Sequence, residues 1–193
     1  MVVIKGDCMK GNVYKNGIFI IVLLLLMFSA ISCINAAQNT SDTANAEMLS
    51  LSKGGVVINY PSNWGYSETT SPYAILAISK LDSIDSAGVG QVTILIEKKP
   101  IEGEFYTFVN DTYHQMQRDS SYKLVSSGGT RLGNIDAVEY VYTSNSTGVE
   151  KEHKAVWVEK GGQAYVLLYS APPSEFEENL YIFEFILDDI QIT

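Results

Sequence analysis

Residues 153–159 (HKAVWVE) and 163–170 (QAYVLLYS) are two β-branched and aromatic runs on either side of Gly161-Gly162. Glycine enters positive φ without steric cost, so this stretch reads as an antiparallel hairpin. No other feature limits the fold as sharply. A lone hairpin is marginal in water and needs more strands or a helix to cover its apolar faces.

The rest of the chain supplies both. Val56, Ile58 and Tyr60 alternate in a first strand that breaks at Pro61, with a turn around Trp64. Residues 73–79 and 91–98 (QVTILIEK) are further strands, separated by a polar loop over 82–90. Residues 122–126, 130–132 and 137–143 read as strands punctuated by Gly128-Gly129 and Gly133-Asn134. Two segments carry helical periodicity. Phe105, Phe108, Val109, Thr112, Tyr113 and Met116 form one stripe on a helix over 103–120, with Glu102 and Glu104 in its first turn. Phe176, Leu180, Phe183 and Leu187 form another over 175–188, with Pro173 at its start and Ser174 as a candidate cap. Ile190-Gln191-Ile192 suits a short terminal strand. Strands in hairpins with two helices imply an α+β domain, an antiparallel β-sheet flanked by helices.

Residues 1–33 form a separate unit. Lys5, Lys10 and Lys15 precede an unbroken apolar core over 18–28, followed by small residues. This is the layout of an export signal or membrane anchor. The core is shorter than the roughly 20 residues that span a bilayer. Three routes fit. Ala30-Ile31-Ser32-Cys33 resembles a prokaryotic lipobox, which makes Cys33 a lipidated N-terminus. A peptidase could instead cut after Ala36 or Ala37, or the segment could stay as an uncleaved anchor. Residues 34–53, rich in Asn, Ser, Thr and Ala, read as a flexible tether. Residues 54–193 are then one extracytoplasmic domain, free of cysteine and hence of disulfides. Beyond residue 33, ten basic residues face 21 acidic ones, a net charge of −11. That balance argues against nucleic acid as a partner.

Tyr60-Pro61-Ser62-Asn63-Trp64, the segment 161–172 (GGQAYVLLYSAP), Phe176, Phe183 and the closing 186–192 (ILDDIQI) together resemble the PsbP-like family, as does the turn over 133–137. The resemblance spans nearly all of 54–193 and is greatest to its prokaryotic lipoprotein members. It implies an α-β-α sandwich around an antiparallel sheet. The family's best-known members are not enzymes: one is an extrinsic photosystem subunit, another a nuclear-transport factor that binds a small GTPase.

The chemical candidates are few. Asp111 and His114 lie at i, i+3 with Asn110 nearby, one face of a metal site short of the three or four firm ligands zinc or copper takes. His153 falls on a strand where adjacent Glu152 points the other way, which suggests a solvated edge. Acids at Asp82/Asp85, Glu102/Glu104, Glu175/Glu177/Glu178 and Asp188/Asp189 lack calcium-loop spacing, though weak calcium binding suits an acidic exported surface. There is no G-x-S-x-G elbow and no GK[ST] phosphate loop. Trp64, Tyr66 and Tyr73 gather near the first turn, where rings can stack on a sugar or peptide. Asn145-Ser146-Thr147 is the sequon best placed for glycosylation, ahead of Asn39 and Asn110. The expectation is a non-enzymatic domain without cofactor, anchored at the membrane. It binds a protein partner at the cell envelope, with a small-ligand or metal-ion role as the alternative.

Overall fold

The computed structural model describes residues 47–67, 71–145 and 148–193. Its ten strands are β1 (Met48–Lys53), β2 (Val56–Pro61), β3 (Trp64–Ser67), β4 (Ala74–Lys80), β5 (Thr93–Pro100), β6 (Lys123–Leu132), β7 (Ile135–Ser144), β8 (Lys151–Lys160), β9 (Gln163–Ala171) and β10 (Gln191–Ile192). The helices are α1 (Phe105–Met116) and α2 (Pro173–Asp189). Seven strands form one antiparallel sheet in the order β3-β4-β5-β9-β8-β7-β6, and β1-β2-β10 form a small second sheet. The Gly161-Gly162 hairpin forms as expected: both glycines have positive φ, and β8 pairs with β9 from Lys160↔Gln163 to Glu152↔Ala171.

Strand alternation divides the large sheet into two faces. On one, Ile94, Ile96, Val156, Val158, Leu167 and Tyr169 pack with Phe176, Phe183 and Ile186 of α2. Val56 and Ile58 of β2 join the same cluster. The buried positions on α2 are Phe176, Asn179, Ile182, Phe183, Ile186 and Leu187, whereas Tyr181 and Phe185 face outward. Tyr169 fastens the start of α2 by donating its hydroxyl to the Phe176 carbonyl at 2.8 Å. Lys154 of β8 reaches Glu139 of β7 (3.1 Å) and Glu184 of α2 (2.6 Å). The opposite face holds a second cluster, in which Phe105, Val109 and Tyr113 of α1 meet Tyr140, Tyr142, Ala155, Trp157, Ala164 and Val166. One helix on each face completes an α-β-α sandwich.

Several boundaries differ from the sequence reading. Met48–Lys53, assigned to the tether, is β1, because its backbone pairs in register with β2 from Met48↔Pro61 to Lys53↔Val56. Its side chains are mostly exposed, which is why its composition resembles a linker. Gly128-Gly129 does not break the chain: 123–132 is one strand, paired with β7 from Lys123↔Thr143 to Leu132↔Ile135. Helix α1 is shorter than expected, so Glu104 is its N-cap and Glu102 lies before it. Ser174 makes no capping hydrogen bond; Pro172 is the N-cap of α2 and Pro173 opens it.

Candidate functional site

The three aromatic residues expected to form a binding cleft do not meet. Trp64 starts β3 opposite Lys80 and belongs to the core on the α2 face, where it is 2% exposed and has no surface to stack on a ligand. Tyr66 packs against the same cluster, and its hydroxyl accepts a hydrogen bond from Lys53 Nζ at 2.8 Å. Tyr73 is on the other side of the sheet, where its ring lies 6.0 Å from Lys99 Nζ. Trp64 and Tyr66 share a face, as i and i+2 on one strand do, and the chain turns before Tyr73, which puts it on the other side.

Cys33 and the whole export segment lie outside the described residues. Among the described residues no helix is long and apolar enough to cross a membrane. Asn145 follows β7 and is exposed, while the rest of its sequon is outside the described residues. Asp111 and His114 sit exposed on α1, and Asn110 instead accepts a hydrogen bond from the Tyr140 hydroxyl at 2.8 Å. No group of three metal-ligating side chains occurs among the described residues. The Asp85 carboxylate accepts from the backbone N–H of Val89 (2.9 Å) and Ala87 (2.8 Å) and from Gln91 Nε2 (2.9 Å). Led by the Val89 bond, these hold its pKa below the usual carboxylate value. Two S-x-x-K spacings occur, Ser50 to Lys53 on β1 and Ser120 to Lys123 across the turn into β6. Neither places its serine on a helix, where that spacing sets the two side chains on one face.

The α1 face holds a polar arrangement that sequence reading missed. Ser79 of β4, Thr93 of β5, Ser170 of β9, His153 of β8 and Tyr142 of β7 stand in one register row across five strands. His153 is not at a solvated edge, because β8 lies inside the sheet between β9 and β7. Its Nδ1 is 2.7 Å from Ser170 Oγ, its Nε2 is 2.9 Å from Ser144 Oγ, and its ring stacks on Tyr142 at 4.6 Å. A neutral imidazole donates from one nitrogen and accepts at the other, so one serine accepts and the other donates. Burial, and secondarily Lys151, pushes the His153 pKa down to about 3. The signal for this row was available: four polar residues at matching positions in otherwise apolar strands.

Further along the same face, Glu97 is buried and its Oε2 pairs with Lys99 Nζ at 2.8 Å. The Lys99 ammonium lies 5.5 Å from the Trp157 ring centroid. Glu97 Oε1 has no hydrogen-bond partner among the described residues. Beside it, Trp157 Nε1 donates to the Tyr113 hydroxyl at 2.9 Å, and the Tyr113 ring stacks on Tyr140 at 3.6 Å. Burial raises the pKa of Tyr113 well above its ordinary value and that of Tyr122 to about 12, so both stay neutral.

The α1 face opens to solvent at its far margin. An open groove of about 490 Å³ runs between Tyr106 of α1 and β6, lined also by Ser127, Gly129, Val138 and Tyr140. Tyr106 is 61% exposed. Ser127 and Gly129 stand opposite Tyr140 and Val138, and their small size leaves the space empty. Among the described residues β6 pairs only with β7, so its outer edge is unpaired.

No family model matches the chain, and no curated protein matches its sequence. Solved structures do resemble it. A cyanobacterial PsbP (CyanoP) from Synechocystis sp. PCC 6803 aligns at a TM-score of 0.55 and 11% identity, over 81% of this chain and 98% of its own. LpqN of Mycobacterium tuberculosis, described as involved in cell envelope biogenesis, aligns at 0.55 and 14% identity, over 76% of this chain and 91% of its own. At these identities the likeness shows the fold, which is a PsbP-like α+β sandwich.

Proposed function

We propose that this chain is a non-catalytic, membrane-tethered extracytoplasmic domain, a PsbP-like protein that binds a protein partner at the cell envelope. The observation that supports a protein partner is the unpaired β6 edge beside an open groove. Sheet edges of this kind take up polypeptide by strand addition. Lipid on Cys33, or an uncleaved N-terminal helix, holds the domain at the membrane, and Asn145 is the favoured glycosylation site. The environment of His153 supports a non-catalytic role: its hydrogen-bond partners are two hydroxyls, and a pKa near 3 makes it a weak base near neutrality. LpqN's association with envelope biogenesis is compatible with this placement.

Cross-linking in intact cells, followed by mass spectrometry, tests the reading. The expected result is a defined envelope protein joined to this chain, and a lipid-modified Cys33 as the mature N-terminus. Recovery of the unprocessed chain free in the cytosol would overturn it. A second reading rests on Glu97 Oε1, a buried acceptor that has no partner among the described residues and suits a small ligand carrying N–H or O–H donors. Thermal shift against sugars, amines and calcium separates the two, since a ligand bound to the native state raises Tm.

A further inference from the structure

We infer that the partner is engaged through β6, by an extended segment that adds as an eighth strand and carries acidic residues at both ends. This deepens the envelope-partner reading and rests on it. Residues 123–129 are exposed along the strand. Val125 is the extra residue of a bulge, since Leu124 and Ser126 stand opposite the consecutive Tyr142 and Val141. The regular ladder available for pairing is therefore 126–132. Natural edges are commonly guarded by charge or proline along their length. Here the middle is Ser126-Ser127-Gly128-Gly129-Thr130, and a Cβ built at either glycine would meet nothing within 4 Å. An incoming backbone meets no obstacle there. Side chains on the α1-facing side of the added strand would enter the groove beside Tyr106 and Tyr140, which favours an aromatic or β-branched residue at that position.

Charge selects the ends of the segment. The described domain is acidic, yet this edge is bracketed by Lys123 and Arg131, roughly 25 Å apart along the strand. Arg131 is largely exposed; it donates to the Asn134 carbonyl at 3.2 Å and forms a 3.9 Å ion pair with the still more exposed Asp136. An added strand with an acid near each end meets both cations. A second copy of this chain does not: β6 contains no acidic residue, so self-pairing would line two Lys123 and two Arg131 along one seam. It would also bring together two bodies of strong net negative charge.

The test uses the full chain in its own membranes, with a photoreactive side chain at Ser127 or, as a remote control, at Glu178 on the exposed side of α2. The expected result is a Ser127 adduct whose cross-linked partner peptide alternates apolar and polar residues and ends in acids. A synthetic peptide of that sequence, added to the full chain in detergent, should protect backbone amides over 126–132 from exchange. Its affinity should fall at least tenfold in K123E/R131E, and in 0.5 M salt. Both substitutions lie at exposed positions, and circular dichroism checks that the double variant folds. An adduct between two copies of this chain, a captured peptide without acids, or affinity unchanged by charge reversal would overturn the inference. A defined partner cross-linked from Glu178 but never from Ser127 would overturn it while leaving the envelope-partner reading intact. Absence of any partner from both sites would remove both.

Discussion

His153 should make this domain lose stability on mild acidification, and replacing it should remove that loss. An unfolded histidine takes up a proton near pH 6.5, whereas the folded His153 resists protonation until about pH 3. Between those values the unfolded state binds more protons, so stability falls as pH falls. The full loss across the window is about 5 kcal/mol; at pH 5 about 2 kcal/mol of it has been felt relative to pH 7.5. The cause is geometric. The ring is pressed on Tyr142, both nitrogens are committed to Ser144 and Ser170, and Lys151 is near. A second proton would break the bond in which a serine donates and would place a cation beside an ammonium. The informative variant is His153→Gln, which keeps a donor and an acceptor but does not titrate. At pH 7.5 it should be less stable by about 1–2 kcal/mol, for imperfect hydrogen bonds and lost stacking. By pH 5 that gap should close by about 2 kcal/mol, since only the wild type carries the histidine penalty. Urea melts at pH 7.5, 6.5, 5.5 and 5.0 resolve this, because 2 kcal/mol is a midpoint change of about 1 M for a domain of this size. Carboxylates such as Asp85 are present in both proteins and cancel in the difference. Parallel stability profiles, with the gap constant within 0.5 kcal/mol, would show that the imidazole is not held neutral by its surroundings.

Other substitutions probe separate parts of the sandwich. Tyr113→Phe keeps the stack on Tyr140 but strands the buried Trp157 N–H, and should cost about 1–3 kcal/mol in urea denaturation; a cost below 0.5 kcal/mol would mean that the indole finds another acceptor. Gly90→Ala would bring a Cβ within 2.5 Å of Ser79 Oγ and 2.7 Å of Ser79 Cβ. It should destabilise by about 1–3 kcal/mol through overpacking, and a Tm equal to wild type would refute this close approach. Lys154→Ala leaves Glu139 and Glu184 facing each other across β7 and α2 without their shared cation. A loss of about 1–3 kcal/mol, reduced when Glu184→Gln is added, is expected from thermal melts of the double-mutant cycle.

The strands and helices were legible because their signals are local. Alternation marked β5, the double glycine marked the β8–β9 turn, and three-four spacing marked α1 and α2. What failed was long-range. Residues 48–53 look like a linker because a mostly exposed strand held largely by backbone pairing leaves little apolar trace. Gly128-Gly129 read as a turn because nothing in the sequence says that an edge strand tolerates two residues without side chains. Trp64 and Tyr73 are nine positions apart, yet on opposite faces of the sheet. The His153 row depends on the register of five strands, fixed only when the hairpins close.

The two faces of the sheet have different roles for a reason of size. Seven strands span about 29 Å, while a helix with its side chains is about 10–12 Å across. On one face α2 is joined by the small sheet, and Val56 and Ile58 help to seal a dry core. On the other, α1 covers the strip of Tyr140, Tyr142, Ala155, Trp157, Ala164 and Val166. Polar side chains stand on both sides of that strip: Ser79, Thr93 and Glu97 toward β4, and Ser127 toward the open edge. Substitution at Ser127 or Gly129, which border the open groove, should therefore disturb less packing than substitution on the α2 face, where Tyr169 and Phe183 hold the sandwich together.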